Sequence, residues 1–130
     1  MANRYHSKEV LEAFYHKAKE VCPNVFTRTR PTAVEKMDRF IVIRFSVEPN
    51  PTSSIHNGAV VVADCFARDR QDGISNENVL DDLISGMCAI APFDDGWLRC
   101  NGDARLLSTK SDGMGFHHTE VLFTKLIIEV

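Results

Sequence analysis

The sequence predicts a single α+β domain, spanning residues 1–130, in which two helices pack on one face of a sheet of about four mainly antiparallel strands. Two observations support this fold class. The length of 130 residues and a hydrophobic content of 44% suit one soluble domain with its own core. The hydrophobic patterns follow the order α-β-β-α-β-β, and adjacent strand pairs without long crossovers favour antiparallel pairing.

The first predicted element is an amphipathic helix over Ser7–Cys22, with apolar residues at steps of three and four. Ser7 suits the N-cap position, and Pro23 ends the helix. Residues 24–39 are expected to form an extended loop or a short edge strand. The alternating run Phe40–Val47 then predicts a strand with one buried face, made by its odd positions.

The middle of the chain predicts a loop, a strand and a second helix. The segment Pro49–Asn57 is dense in turn formers and is expected to be exposed and mobile. Gly58–Arg68 is apolar on both faces, which is typical of a central strand. The helix over residues 76–91 starts at an N-cap, either Ser75 or Asn76, and ends before a proline.

Two further strands complete the predicted sheet. The run Trp97–Ser108 is irregular at residues 101–103, which indicates a bulge or bend. Phe116–Glu129 alternates well enough for one long strand. These two runs are expected to pair as an antiparallel hairpin.

Charge is unevenly distributed along the chain. Residues 1–44 hold nine Lys and Arg against five Asp and Glu, a balance of +4, whereas residues 45–130 hold six against thirteen, a balance of −7. In a homo-oligomer, such a difference would let one surface attract another surface of the neighbouring subunit. The alternative is one basic helix face and several acidic turns.

The chain opens with charged residues, lacks the apolar segment of a signal peptide and has no apolar run long enough to span a bilayer. The sequence therefore predicts a cytoplasmic protein. Its cysteines contain no C-x-x-C pair and are expected to be reduced residues of the core: Cys22, Cys65, Cys88 and Cys100.

The histidines offer little prospect of a shared metal site. His117 and His118 are neighbours on a predicted strand and point to opposite faces. His16 is expected on the solvated face of the first helix. A site that combines Cys65, Cys100 and one of the paired histidines remains an alternative to buried cysteines and exposed histidines.

The carboxylates give a second alternative, a metal-dependent hydrolase or nuclease. Asp81 and Asp82 suit the polar face of the second helix, and the pair Asp94 and Asp95 precedes a glycine in a turn. Further carboxylates that could contribute to such a site are Asp64, Asp103 and Glu120.

Other chemistry finds no motif in this sequence. It contains no G-x-S-x-G elbow, P-loop or complete dinucleotide fingerprint. A basic group is interpreted as a solvated rim rather than a nucleic-acid site: Arg28, Arg30, Lys36, Arg39 and Arg44. We therefore assign no catalytic, cofactor-binding or metal-binding residue, and we expect a non-enzymatic protein that works by assembly.

The order of elements resembles the tail terminator and tail completion proteins of long-tailed bacteriophages and prophages. The resemblance lies in the helix Ser7–Cys22, the strand residues 40–45, the unit formed by Val60–Arg68 and residues 76–91, and the C-terminal run 121–126. These patterns cover most of the chain, although residues 24–39 and 101–103 match no feature of the family.

The resemblance implies a minor tail protein of virion assembly that forms a ring, with a hexamer expected. Such a ring closes the tail tube and joins it to the head connector, so tail-tube and connector proteins are the implied partners, without membrane or sequence-specific nucleic-acid binding. The implied location is the bacterial cytoplasm and, for an active phage, the virion. A heterologous ring contact would give the uneven charge a use, and Pro49–Asn57 would order on assembly.

Overall fold

The computed structural model describes residues 7–49 and 55–129. Within these residues the chain forms two helices and ten strands. The helices are α1 (Ser7–Lys19) and α2 (Glu77–Cys88). The strands are β1 (Val25–Thr27), β2 (Arg39–Val47), β3 (Ile55–Asn57), β4 (Val60–Arg68), β5 (Phe93–Asp94), β6 (Leu98–Cys100), β7 (Arg105–Leu106), β8 (Lys110–Ser111), β9 (Phe116–Phe123) and β10 (Leu126–Glu129).

The strands form two sheets. The six-stranded sheet has the order β1-β2-β4-β9-β7, with β8 pairing further along β9, and the four-stranded sheet has the order β3-β10-β6-β5. All pairs are antiparallel except β1 with β2. The α+β class and the two helices are confirmed, but the prediction of about four strands in the order α-β-β-α-β-β is wrong.

The main core lies between the two helices, one face of the six-stranded sheet and the four-stranded sheet. Its fully buried members come from all of these layers: Val10 and Phe14 of α1, Leu83 and Met87 of α2, Ile41, Ile43, Val61, Ala63, Cys65, Val121 and Phe123 of the larger sheet, and Leu98, Leu126 and Ile128 of the smaller one. The small residues Ala63 and Cys65 at the centre of β4 leave room for α2 to approach closely. The predictions of a central strand and of helices on one face of the sheet are confirmed.

A second apolar cluster lies on the opposite face of the larger sheet. Phe40, Val42, Phe66 and Phe116 are buried there beneath residues of the segment between β1 and β2, including Val34 and Met37. The first half of β2 is therefore buried on both faces, and the prediction of one buried face is wrong. Residues 24–39 cover this second cluster. They include the short edge strand β1, which is one of the two structures predicted for the segment.

The ends of both helices follow from local chemistry. Helix α1 ends at Lys19, three residues before the predicted Cys22, although the N–H groups of Val21 and Cys22 still bond to the carbonyl of Ala18. Helix α2 begins after Asn76, whose side-chain oxygen accepts a hydrogen bond from the N–H of Val79 at 3.4 Å. Asn76 is therefore the N-cap, as one of the two predicted candidates.

The chain changes sheet within both of its last predicted strands. β6 and β10 belong to the smaller sheet, whereas β7, β8 and β9 belong to the larger one. The predicted bend after residue 100 is the first crossing, and Thr124–Lys125 is the second. The prediction of one long C-terminal hairpin is therefore correct in its antiparallel pairing and wrong in its continuity.

The loop predicted over Pro49–Asn57 falls partly outside the described residues, which omit 50–54. Its last residues, Ile55–Asn57, form β3 and pair with β10. The prediction of a loop is therefore wrong for this part of the segment.

Candidate functional site

The face of the larger sheet that points away from the helices carries a stack of three rings. Phe40, Phe66 and His118 lie directly opposite one another on β2, β4 and β9. The ring centroids of Phe40 and Phe66 are 4.5 Å apart at an interplanar angle of 11°, and those of Phe66 and His118 are 4.9 Å apart at 19°. This stacking fixes the plane of the His118 imidazole.

An ion cluster lies next to the stack on the same three strands. The Nε–H of Arg44 donates to Asp64 Oδ2 at 2.7 Å, and Nη2 donates to Asp64 Oδ1 at 3.3 Å. The same Nη2 lies 3.4 Å from Glu120 Oε2. Asp64 is only 8% exposed, so its buried negative charge requires the positive charge of Arg44 beside it. The hydrogen bond to Asp64 raises the pKa of Arg44.

His118 completes the site. Its Nδ1 atom is buried and has no hydrogen-bond partner. Ligand atoms of Asp64, His118 and Glu120 lie within 4.8 Å of one another, and no other group of three potential metal ligands occurs among residues 7–49 and 55–129. One imidazole nitrogen and two carboxylates are a donor set that binds divalent cations.

Strand alternation could have found part of this cluster from sequence. Residues 118 and 120 are two apart on a strand and therefore share a face. The long-range pairing that sets Asp64 opposite Glu120 has no local signal. The sequence predicts Asp64 and Glu120 as candidate carboxylate ligands, and it predicts His118 as a ligand only in combination with cysteines.

The other carboxylates of the hydrolase alternative lie elsewhere. Asp81 and Asp82 are exposed on α2, as expected for its polar face. Asp95 forms an ion pair with Lys17 at 3.1 Å, and Asp94 accepts a hydrogen bond from the N–H of Gly96 at 2.8 Å, which is turn chemistry. Asp103 is exposed in the bend after β6.

Cys22, Cys65 and Cys100 are buried and His16 is exposed, as predicted, whereas Cys88 is only half-buried. All four cysteines are free, and burial raises the pKa of Cys65, Cys88 and Cys100 as well as that of Cys22.

Among the described residues, neither Cys65 nor Cys100 belongs to a group of metal-ligating side chains, so the combined cysteine–histidine site does not form. The ring of His117 instead meets Asp69, with Nδ1 at 2.6 Å from Oδ1. His117 thus contacts Asp69 and His118 stacks on Phe66, so the two side chains lie on opposite faces, as their adjacent positions on a strand predict.

The predicted basic rim is partly neutralised inside the molecule. Arg30 pairs with Asp112, and its guanidinium carbon lies 5.2 to 5.6 Å from the ring centroids of Phe40, Phe66 and Phe116. Arg44 pairs with acidic residues of β4 and β9, as described above. Some of the excess positive charge of residues 1–44 (+4) is therefore paired within the folded chain with the excess negative charge of residues 45–130 (−7).

The remaining basic residues are more accessible. Arg28 and Lys36 are exposed, and the half-buried Arg39 lies 3.7 Å from Asp38. The interpretation as a solvated rim therefore holds for Arg28 and Lys36, whereas Arg30 and Arg44 are half-buried and paired with carboxylates of the larger sheet's outer face and its adjoining loop.

The outer edge of the larger sheet is the second candidate site. We define the outer edge as residues 105–111, which include β7 and β8 and are all exposed. Leu106 is 51% exposed and Leu107 is 45% exposed. Within the described part of the chain, β7 and β8 pair on one side only, with β9, so backbone groups on the other side face outward.

Neither of the described helices is long and apolar enough to cross a membrane. No family model matches the chain, and no curated protein matches it.

Proposed function

We propose that this chain is a non-enzymatic structural subunit of phage or prophage tail assembly that resembles a tail terminator and forms a ring, with six copies expected. The observation that carries this proposal is the outer edge, which combines open backbone groups with two exposed leucines. Tail-tube and head-connector proteins are the proposed partners. The proposed location is the bacterial cytoplasm and the virion.

An exposed strand edge is a template for pairing with another chain. Soluble monomers blunt such edges with charge or proline; the outer edge carries Arg105 and Lys110, but between them it also exposes Leu106 and Leu107. The hydroxyl groups of Thr109 and the buried Thr119 lie 2.6 Å apart, which holds the segment between β7 and β8 against β9. The edge is therefore a fixed, partly apolar surface, as a subunit contact requires.

Charge supplies a matching surface on a second copy. The outer edge carries Arg105 and Lys110, and α2 exposes Glu77, Asp81 and Asp82. A ring needs a heterologous contact, in which two different surfaces of the same chain meet. We assign the outer edge and the acidic side of α2 to these two surfaces, because their opposite charges favour that encounter over edge-to-edge pairing.

The test is the oligomeric state of the wild-type chain by native mass spectrometry and light scattering. We expect a closed ring at high protein concentration and its loss in Leu106→Glu, which places a charge in the contact. Met114→Glu is the matched control, because Met114 is 65% exposed in a turn outside the outer edge. A wild-type monomer at the highest soluble concentration contradicts the proposal.

The gene neighbourhood separates a tail protein from another assembling protein. Adjacent genes for a capsid, connectors and a tail tube support the proposal, and the neighbouring tail-tube protein is then the partner to test by co-purification. Adjacent genes for metabolic enzymes contradict it.

A small metal-dependent hydrolase or nuclease is the second candidate, and the cluster of Asp64, His118 and Glu120 favours it. Three protein ligands leave a coordination position for water, which a bound metal can activate. A phosphodiesterase assay with Mn²⁺ or Zn²⁺, compared between wild type and Glu120→Gln, tests this alternative. Equal rates in the two proteins would eliminate it.

A further inference from the structure

We propose that Asp64, His118 and Glu120 form a binding site for a divalent transition-metal ion of the Zn²⁺ type. The inference concerns binding alone and does not rest on the proposed function. It starts from two independent observations, the convergence of three ligand atoms within 4.8 Å and the buried His118 Nδ1 without a hydrogen-bond partner. An unpaired buried polar atom is costly, and a cation coordinated through Nδ1 would remove that cost.

The geometry is close to that of a loaded site. Metal–ligand distances of about 2.1 Å in a tetrahedral site place ligand atoms about 3.4 Å apart. The observed separations of up to 4.8 Å therefore require the side chains to close by at most about 1.4 Å. Glu120 is only half-buried, and rotation of its side chain can supply most of this movement.

The surrounding residues support a cation at this position. Arg44 contributes one positive charge against the two negative charges of Asp64 and Glu120, so the cluster with a neutral imidazole keeps a net charge of −1. A carboxylate has about four lone-pair sites, so Asp64 and Glu120 can bind Arg44 and a metal at the same time. Arg44 then orients both ligands from outside the metal's coordination shell.

The donor set narrows the identity of the ion. Imidazole suits Zn²⁺ and its neighbours in the first transition row, whereas Mg²⁺ and Ca²⁺ prefer oxygen ligands alone. Stacking against Phe66 orients the His118 ring, as second-shell contacts do in metal sites. The metal would join β4 to β9 and leave a coordination position for water.

Isothermal titration of the full chain with Zn²⁺ tests the proposal. We expect one ion per chain, and a loss of affinity of at least about tenfold in both Glu120→Gln and His118→Gln. Two control variants should bind as the wild type does. Glu129→Gln alters a carboxylate of the smaller sheet, which pairs with Arg99 of the same sheet. His16→Gln removes an exposed imidazole.

Two further readouts keep the result decisive. Circular dichroism without metal checks the fold of each variant. If His118→Gln unfolds because the stacking of His118 on Phe66 is lost, Glu120→Gln alone decides the test. Co²⁺ absorption identifies the ligands, since nitrogen and oxygen donors give visible bands without the intense ultraviolet band of thiolate ligation. Absence of wild-type binding, undiminished binding by Glu120→Gln, or a thiolate band would each overturn the proposal.

Discussion

A methyl group added at Gly86 should destabilise the protein, although helix propensity favours it. Gly86 lies in the last turn of α2, where replacing glycine by alanine stabilises by up to about 0.8–1.0 kcal/mol, the value for a helix interior. A Cβ at this position would lie 2.5 Å from Cγ1 and 3.1 Å from Cγ2 of Val21, which follows α1. Glycine therefore permits the close contact between α2 and the end of α1.

The magnitude follows from two opposing contributions. Overpacking a well-packed site costs about 1–3 kcal/mol, and the β-branched Val21 has few rotamers with which to move its methyl groups away. Subtracting the propensity gain leaves a net destabilisation of about 1 kcal/mol for Gly86→Ala. For a domain of this size, that corresponds to a fall in Tm of about 3–4 °C.

A double-mutant cycle with Val21→Ala isolates the contact, with the free energy of unfolding measured by urea titration. The truncation removes both clashing methyl groups and leaves Val21 Cβ, 3.3 Å from the added carbon. Gly86→Ala should then stabilise the Val21→Ala background by about 0.5–1 kcal/mol, so that its effect changes sign. Stabilisation in the wild-type background, or equal destabilisation in both, would refute the reasoning.

Three further outcomes can be tested. Burial acts to raise the pKa of Asp112, but hydrogen bonds from backbone N–H groups and from Arg30 outweigh burial and lower that pKa. The ionised carboxylate therefore stabilises the folded state above the pKa of the unfolded chain, and this stabilisation is lost as pH falls below about 4. Asp112→Asn should therefore show a shallower loss of urea stability between about pH 5 and pH 2 than wild type; an identical slope would contradict the assignment. Native protein should react with iodoacetamide at Cys88 well before the three buried cysteines, as peptide mass spectrometry can measure, and equal rates at all four would show that burial does not protect them. Phe14→Ala should cost about 3–5 kcal/mol of unfolding free energy, because this fully buried ring lies 4.9 Å from that of Phe123, and a cost below about 1 kcal/mol would mean that the core closes the cavity.

Local pattern was sufficient for the elements that bury most surface. Both helices have regular apolar periods, β4 is a nearly continuous apolar run, and Asn76 has the capping chemistry that its residue type implies. Both helices end three residues earlier than predicted; Cys22 is buried although it lies beyond the end of α1, so its apolar character does not mark helix.

The second sheet could not be predicted in the same way. β3 and β5 contain three and two residues, which is too short for a period to register. The change of sheet at Thr124–Lys125 interrupts an apolar run that otherwise alternates as one strand. The same limit applies to the candidate metal site, because the register that sets Asp64 opposite Glu120 depends on tertiary pairing of distant segments.

The place of β10 in the smaller sheet has a consequence for biosynthesis. β10 lies between β3 and β6, so both of its neighbours in that sheet pair with a strand that is synthesised after them. On the ribosome, β3, β5 and β6 emerge first, and the sheet cannot assemble until residue 129 has cleared the exit tunnel. Until then Leu98 and Cys100, which are buried in the folded protein, lack the strand that pairs beside them, and partly folded chains that expose such apolar residues are prone to aggregate.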